Sequence, residues 1–299
     1  MQAKSYHEMF QQAVDMRNAT WVRKVTRRPL REIKYAALRM LGLMGYTVHI
    51  RAKTFWGEEM LVVMPELVSR AIYHYGYYEE GLTKMVLEYL KPGMVFIDIG
   101  AHLGYYTLLA STIVGDAGQV HAFEPTPSTY RILEINTQGR KNVILNRMAV
   151  FSSGSSMLEF YDYGPRYSGH NSFTAPRLPK QVQKTIHPKL FKVGCVTLDD
   201  YCSTNRIRPS FVKIDAESAE FDVLSGMLHV IQDYHPIISL EVGDEEQIPG
   251  VKSSRECVMF LIERGYKACQ YRRGMIVEHT LKQKYDYDNL LFINPEQKG

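Results

Sequence analysis

The segment Val95–Pro125 constrains the fold more than any other part of the chain. Val95-Phe96-Ile97 is an apolar run of strand length, and it ends on Asp98. Gly100 and Gly104 open a turn into Tyr105–Val114, which has helical character. A second apolar run, Gln119–Phe123, ends on Glu124-Pro125. Strand, glycine turn, helix and strand make a βαβ unit, whose loops gather at the carboxyl edge of a parallel sheet. The alternation continues with a helix over Ser128–Gln138, strands over Val143–Val150, Phe211–Ile214 and Pro236–Leu240, and a helix over Ala219–Ile231. Tyr266–Gln270, a turn at Arg273-Gly274 and Leu290–Ile293 read as an antiparallel hairpin closing the same sheet. The expected class is α/β, with a mostly parallel sheet and helices on both faces.

The first 80 residues read as an extension. Residues 1–45 have helix-compatible spacing, with Pro29 as a break or a helix start. Thr47–Met64 reads as a β-hairpin with its turn at Trp56-Gly57-Glu58. A helix over Gly81–Leu90 is closed by Lys91-Pro92-Gly93. The division is therefore an extension at 1–80 and a catalytic domain at 81–299. An inserted loop at 161–193, rich in Gly, Pro, Ser, His and Tyr, interrupts the domain. Loops of that length are functional or disordered.

A net charge of +4 is too mild to argue for nucleic acid. No apolar run approaches the roughly 18 residues of a spanning helix. Residues 1–10 lack the apolar core of a signal peptide, and Cys195, Cys202, Cys257 and Cys269 show no metal or disulfide spacing. The expectation is a cytoplasmic protein with no membrane span and no nucleic-acid partner. Charge is uneven, however: Trp21–Met40 holds seven basic residues and one acid, Glu32. That face is open to an anionic partner, a membrane surface or a second subunit, a homodimer through the N-terminal segment. Leu38, Leu41, Leu43 and Met44 are expected to cover the domain or a dimer mate rather than lipid.

Two cofactor chemistries suit a glycine turn at a strand end. A dinucleotide would want GxGxxG, so that pyrophosphate approaches the helix N-terminus. Here the spacing is Asp98-x-Gly100-x-x-x-Gly104. A carboxylate at that first position opposes a pyrophosphate and favours a cationic ligand, paired directly or through water. S-adenosylmethionine is such a ligand. Glu124, ending the second strand, is placed to accept ribose hydroxyls.

In chain order, Tyr78-Glu79, Lys91-Pro92-Gly93, Phe96–Thr107, Ala122–Pro125, Ala149-Val150, Val196–Asp199 and Val212–Glu220 resemble the FkbM-type methyltransferase family. The resemblance implies a class I methyltransferase: a Rossmann-like, seven-stranded sheet with the last strand antiparallel. It implies S-adenosylmethionine bound by Glu79, Asp98, Gly100, Gly104 and Glu124. Ala101, His102, Tyr105 and Pro125 join that site, and Met148 and Ala149 contact adenine. S-adenosylhomocysteine is then the product. The family's usual glycine in the strand-helix junction is Ser218 here, and His102 stands where asparagine is common. Members methylate a hydroxyl on a sugar or specialised metabolite, in natural-product biosynthesis, and related enzymes methylate peptide side-chain amides.

Methyl transfer to a hydroxyl needs alignment and a proton acceptor. Asp215, Glu217 and Glu241 fall at neighbouring strand ends, where like charges raise one pKa. Asp215 with Glu241 also offers hard oxygen ligands for Mg²⁺. His170, in the inserted loop, is a further catalytic candidate if that loop closes over the site. Glu220 fits a helix-start acid, and Tyr73, Tyr75, Tyr77 and Tyr78 fit either edge packing or an aromatic wall. The expected acceptor is a small molecule or a peptide. A nucleotide-linked oxidoreductase and a non-catalytic binding scaffold are the competing readings from other classes.

Overall fold

The computed structural model describes residues 5–154, 157–172, 188–244 and 251–296. The chain starts with α1 (Tyr6–Arg17), α2 (Trp21–Arg27) and α3 (Pro29–Leu43), and Pro29 occupies the first turn of α3. Its fixed φ and missing N–H suit that position. β1 (Val48–Lys53) and β2 (Glu59–Met64) form the expected hairpin. Then α4 (Leu67–Tyr75) and α5 (Glu80–Tyr89) lead into β3 (Val95–Ile99), α6 (Tyr105–Val114), β4 (Gln119–Phe123), α7 (Pro127–Thr137) and β5 (Val143–Asn146). β6 (Ala149–Val150), β7 (Met157–Asp162) and β8 (Lys189–Val196) follow, then β9 (Phe211–Ile214), β10 (Ile237–Val242), β11 (Lys267–Arg272), β12 (Met275–Glu278) and β13 (Asp288–Ile293).

Among the described residues, the main sheet has eight strands in the order β12-β11-β13-β10-β9-β3-β4-β5. From β5 to β10 the neighbours are parallel, and β13, β11 and β12 add antiparallel. This is the class I methyltransferase sheet with one strand beyond the expected seven. The extra strand arises at Arg273-Gly274, where both residues have positive φ (48° and 89°). Such a turn makes a tight hairpin, so it joins β11 to β12 rather than to β13. Chain order reverses between β3 and β9, so the chain leaves these two strands toward opposite sides of the sheet, which leaves a crevice at their ends.

Three other expectations change. The strand expected over Val143–Val150 breaks, and β6 leaves the main sheet to pair with β8 in a three-stranded sheet of order β6-β8-β7. The inserted loop is therefore rooted on a β-ladder, with Asp162 opposite Lys189. The helix expected over Ala219–Ile231 is two helices, Glu220–Ser225 and Leu228–Tyr234. At the break, a Cβ on Gly226 would lie 2.2 Å from the Phe151 carbonyl oxygen, so the small sheet presses its backbone there.

Both faces of the parallel strands are buried. Phe96 and Phe211 enter one core with Leu109 and Val120, while Ile97 and Val212 enter the other with Ile238 and Leu290. Phe10, Val14 and Leu38 of the extension belong to the Phe96 core. The four cysteines are free thiols. Among the described residues, no helix is long and apolar enough to cross a membrane.

Candidate active site

At the crevice the loops after β3 and β9 touch through backbone. Gly100 has φ 74°, and a Cβ there would fall 1.8 Å from the Asp215 carbonyl oxygen. Only glycine permits both the conformation and the approach. Gly104, with φ 90°, starts α6. Beside this contact opens a cavity of about 1660 Å³. Single-ligand sites usually enclose about 300–1,000 Å³, so this volume admits a cofactor and an acceptor together.

Of the residues expected from sequence, eleven line the cavity: Gly100, Ala101, His102, Tyr105, Glu124, Pro125, Met148, Ala149, Asp215, Glu217 and Glu241. Asp98, Gly104 and Glu79 stand behind it. His170 ends a short 3-10 turn begun at Ser168, and its side chain lies outside the described residues.

Asp98 lies behind the cavity wall. It is fully buried, and Thr107 Oγ1 donates to its Oδ2 at 2.6 Å. Its cation is the chain's own Lys213, whose Nζ lies 3.2 Å from Oδ1. The parallel pairing sets Asp98 opposite Lys213, which forces this meeting. The same ammonium lies 3.3 Å from Asp215 Oδ2 and donates to the Gly100 carbonyl at 3.1 Å. Burial opposes the Lys213 charge, but Asp215, Asp98 and Glu79 outweigh it and raise its pKa. Sequence reasoning passed over Lys213. The signal was available: a lysine next to the last residue of an otherwise apolar strand needs a carboxylate partner.

Glu79 likewise lies behind the wall. Its φ is 43°, and its carboxylate accepts from Tyr106 Oη at 3.0 Å, Asn289 Nδ2 at 2.8 Å and the Tyr287 hydroxyl. Burial first, then Asp215, raises its pKa against these bonds. Glu124 does face the cavity. His102 N donates to its Oε2 at 3.0 Å, and Thr126 N and Thr129 Oγ1 donate to Oε1 at 2.9 and 3.1 Å. A carboxylate has about four acceptor positions, so about one remains for a ribose hydroxyl.

The second acidic group gathers after β9 and β10. Glu241 lies there with Asp215, Glu217 and Glu220, and its pKa stands well above the ordinary carboxylate value, through burial first and then the charges of Asp215, Glu217 and Glu220. Glu220 accepts from the backbone N–H groups of Ala216 and Ser218 at 3.1 and 3.2 Å, which braces the junction. Glu217 and Ser218 hold positive φ, 49° and 82°, so the backbone keeps a glycine-like path although Ser218 has a side chain. The Mg²⁺ expectation finds no support. Among the described residues no group of three or more His, Cys, Asp or Glu is arranged for a metal, and Asp215 already faces the Lys213 ammonium.

His102, at φ 51°, bonds through Nε2 to Ser168 Oγ at 2.7 Å, which ties the glycine turn to the inserted segment. Arg166, also on the cavity wall, donates to the Gly42 carbonyl at 2.8 Å. The tyrosines divide. Tyr73, Tyr75 and Tyr77 pack among Tyr35, His74, Arg17 and Phe10, whereas Tyr78 lines the cavity with Tyr106 and Tyr287.

The site suits S-adenosylmethionine on this geometry: a side-chain-free backbone at Gly100, an acceptor at Glu124 and an apolar wall at Met148-Ala149. The model of the methyltransferase FkbM domain matches residues 98–268, more than half of the chain. A hexuronic acid methyltransferase from Haloferax volcanii is 23% identical over 161 residues, 54% of this chain, and the match spans 61% of that relative's length. A methyltransferase FkbM structure from Methylobacillus flagellatus covers 67% of this chain and 43% of its own, at 14% identity and TM-score 0.39. Fibrillarin from Aeropyrum pernix, solved with S-adenosyl-L-methionine, covers 71% and 73% at 12% identity and TM-score 0.42. The family match over 98–268, on a chain that carries the motifs in order, decides the assignment: this protein belongs to the FkbM family of S-adenosylmethionine-dependent methyltransferases.

Proposed function

We propose that this chain methylates an oxygen of a carbohydrate, with Glu241 accepting the proton. The observation that carries the reading is the Glu241 carboxyl on the cavity wall beside Asp215 and Glu217, where burial and these neighbouring charges raise its pKa. A carboxylate with a raised pKa is a stronger base than an ordinary one, which favours proton transfer to it. When bound, S-adenosylmethionine supplies an electrophilic methyl group on sulfur. The chain's part is to align the acceptor and take its proton. Lys213, braced between Asp98 and Asp215, fixes the two strand ends that carry this chemistry. Alignment of this kind supplies much of the rate in a displacement between two bound molecules. The carbohydrate class is supported by the relative that methylates hexuronic acid, and by a cavity with room for a sugar beside the cofactor.

The test is a panel of glycosides, with and without a uronic carboxylate, incubated with S-adenosylmethionine. Product structure is read by NMR. A methyl ether on a sugar oxygen is expected, with one S-adenosylhomocysteine formed per methyl. Methyl transfer to a peptide amide nitrogen, with no sugar turned over, would overturn the reading.

A further inference from the structure

The α2–α3 face carries an apolar surface that the domain does not use. In α3, Leu38 and Gly42 turn inward and Tyr35 stacks on His74 of α4 at 4.1 Å. Leu30, Ile33, Ala37, Met40 and Met44 recur at steps of three and four, so they share one face. That face points away from the domain. Leu30 is 72% exposed, Ile33 67%, Met40 59% and Met44 64%, and Trp21, which opens α2, is 72% exposed. Of Leu38, Leu41, Leu43 and Met44, Leu38 packs against the domain and the other three are exposed. Isolated exposed apolar residues are ordinary, but a stripe of them along almost four helical turns marks a docking surface.

Charge selects the occupant. Arg23, Arg27, Lys34 and Arg39 are exposed around the stripe. The one acid of this segment, Glu32, is taken by His74 at 3.0 Å. A symmetric pairing of two copies through this face would set cation against cation. An anionic lipid surface answers both features, since its interior takes apolar side chains and its headgroups take arginine and lysine.

We infer that α2 and α3 dock the protein on an anionic lipid surface, lying in its plane. The position gives the docking a consequence. The Gly42 carbonyl accepts from Arg166, and a Cβ on Gly42 would lie 2.8 Å from Pro65 Cβ. Arg166 and Pro65 both belong to the cavity wall, as does Leu67, which is 67% exposed. The lipid-facing stripe therefore ends beside the cavity, which would open close to the headgroup layer. The inference stands apart from the identity of the acceptor.

Flotation of the full chain with vesicles tests it. One set is phosphatidylcholine alone, and the other is equal parts phosphatidylcholine and phosphatidylglycerol, at low salt. The protein should float with the anionic vesicles and stay behind with the neutral ones. Neutralising two cations in Arg23→Gln/Arg27→Gln should weaken binding about 30-fold, and Ile33→Glu/Met40→Glu should remove it. Both variants should keep the wild-type melting temperature and S-adenosylhomocysteine affinity, because these side chains are solvent-facing. Leu30→Ser serves as a milder apolar variant should the double one misfold, with weaker flotation expected. Three results would overturn the inference: no flotation with anionic vesicles, equal flotation of folded wild type and apolar variants, or a wild-type dimer that Ile33→Glu/Met40→Glu dissociates.

Discussion

Lys213 and Asp98 sit directly opposite each other on adjacent parallel strands, with the ammonium 3.2 Å from the carboxylate. Both are buried, and the same ammonium reaches Asp215 at 3.3 Å. One lysine thus links the strand end that shapes the cofactor turn to the strand end that carries the acids.

Removing that link should be costly. Lys213→Met fills the space with an apolar side chain and leaves Asp98 buried without its cation. Breaking one side of a buried pair costs about 3–5 kcal/mol. Urea unfolding should show a loss in that range, with the midpoint shifted and the slope kept. A loss below about 1 kcal/mol, the range of exposed pairs, would mean that the pair is solvated in solution.

Much of this site was legible in the sequence. The apolar strands Val95–Ile97 and Gln119–Phe123 and the glycines between them located the crevice, because strand length and glycine spacing are local properties. The Asp98–Lys213 partnership was less legible, because pairing across β3 and β9 joins residues 115 positions apart: Asp98 offered a charge but not its partner. The break of the expected third strand was hidden for a similar reason, since β6 is drawn off by β8, more than forty residues downstream. Helix Ser254–Ile262 went unread although Ser253 and Glu256 form a capping box, a signal that was present in the sequence.

Glu241→Gln separates chemistry from binding. Loss of a general base costs about 10²–10⁴ in rate, while S-adenosylhomocysteine affinity should hold. Wild-type rate should climb with pH as Glu241 ionises, and the variant should lose that limb. Stability carries the same signature with a defined sign. The folded pKa is raised above the ordinary 4.5, so the native state holds this proton after the unfolded chain has released it. The contribution is complete below about pH 4.5 and is lost as pH rises through the raised value. Glutamine does not titrate, so melting temperatures should show the variant gaining on wild type toward neutral and alkaline pH. A constant difference across pH would contradict the assignment.

Ser218→Gly should stabilise the fold. Ser218 holds φ 82°, a region that costs a non-glycine residue about 1–3 kcal/mol. Glycine relieves that strain and gives back about 0.4–1 kcal/mol in unfolded-chain entropy. A net gain of about 1 kcal/mol is expected by thermal unfolding. A loss of similar size would show that the serine hydroxyl makes a contact worth more than the strain.

The most direct measurement is calorimetric titration of the wild-type chain with S-adenosylhomocysteine and, separately, with NAD⁺. A cavity with Gly100, Glu124 and Met148 on its walls predicts saturable one-to-one binding of S-adenosylhomocysteine, displaced by S-adenosylmethionine, and no heat with NAD⁺. Tight NAD⁺ binding with none of S-adenosylhomocysteine would contradict the account at its root.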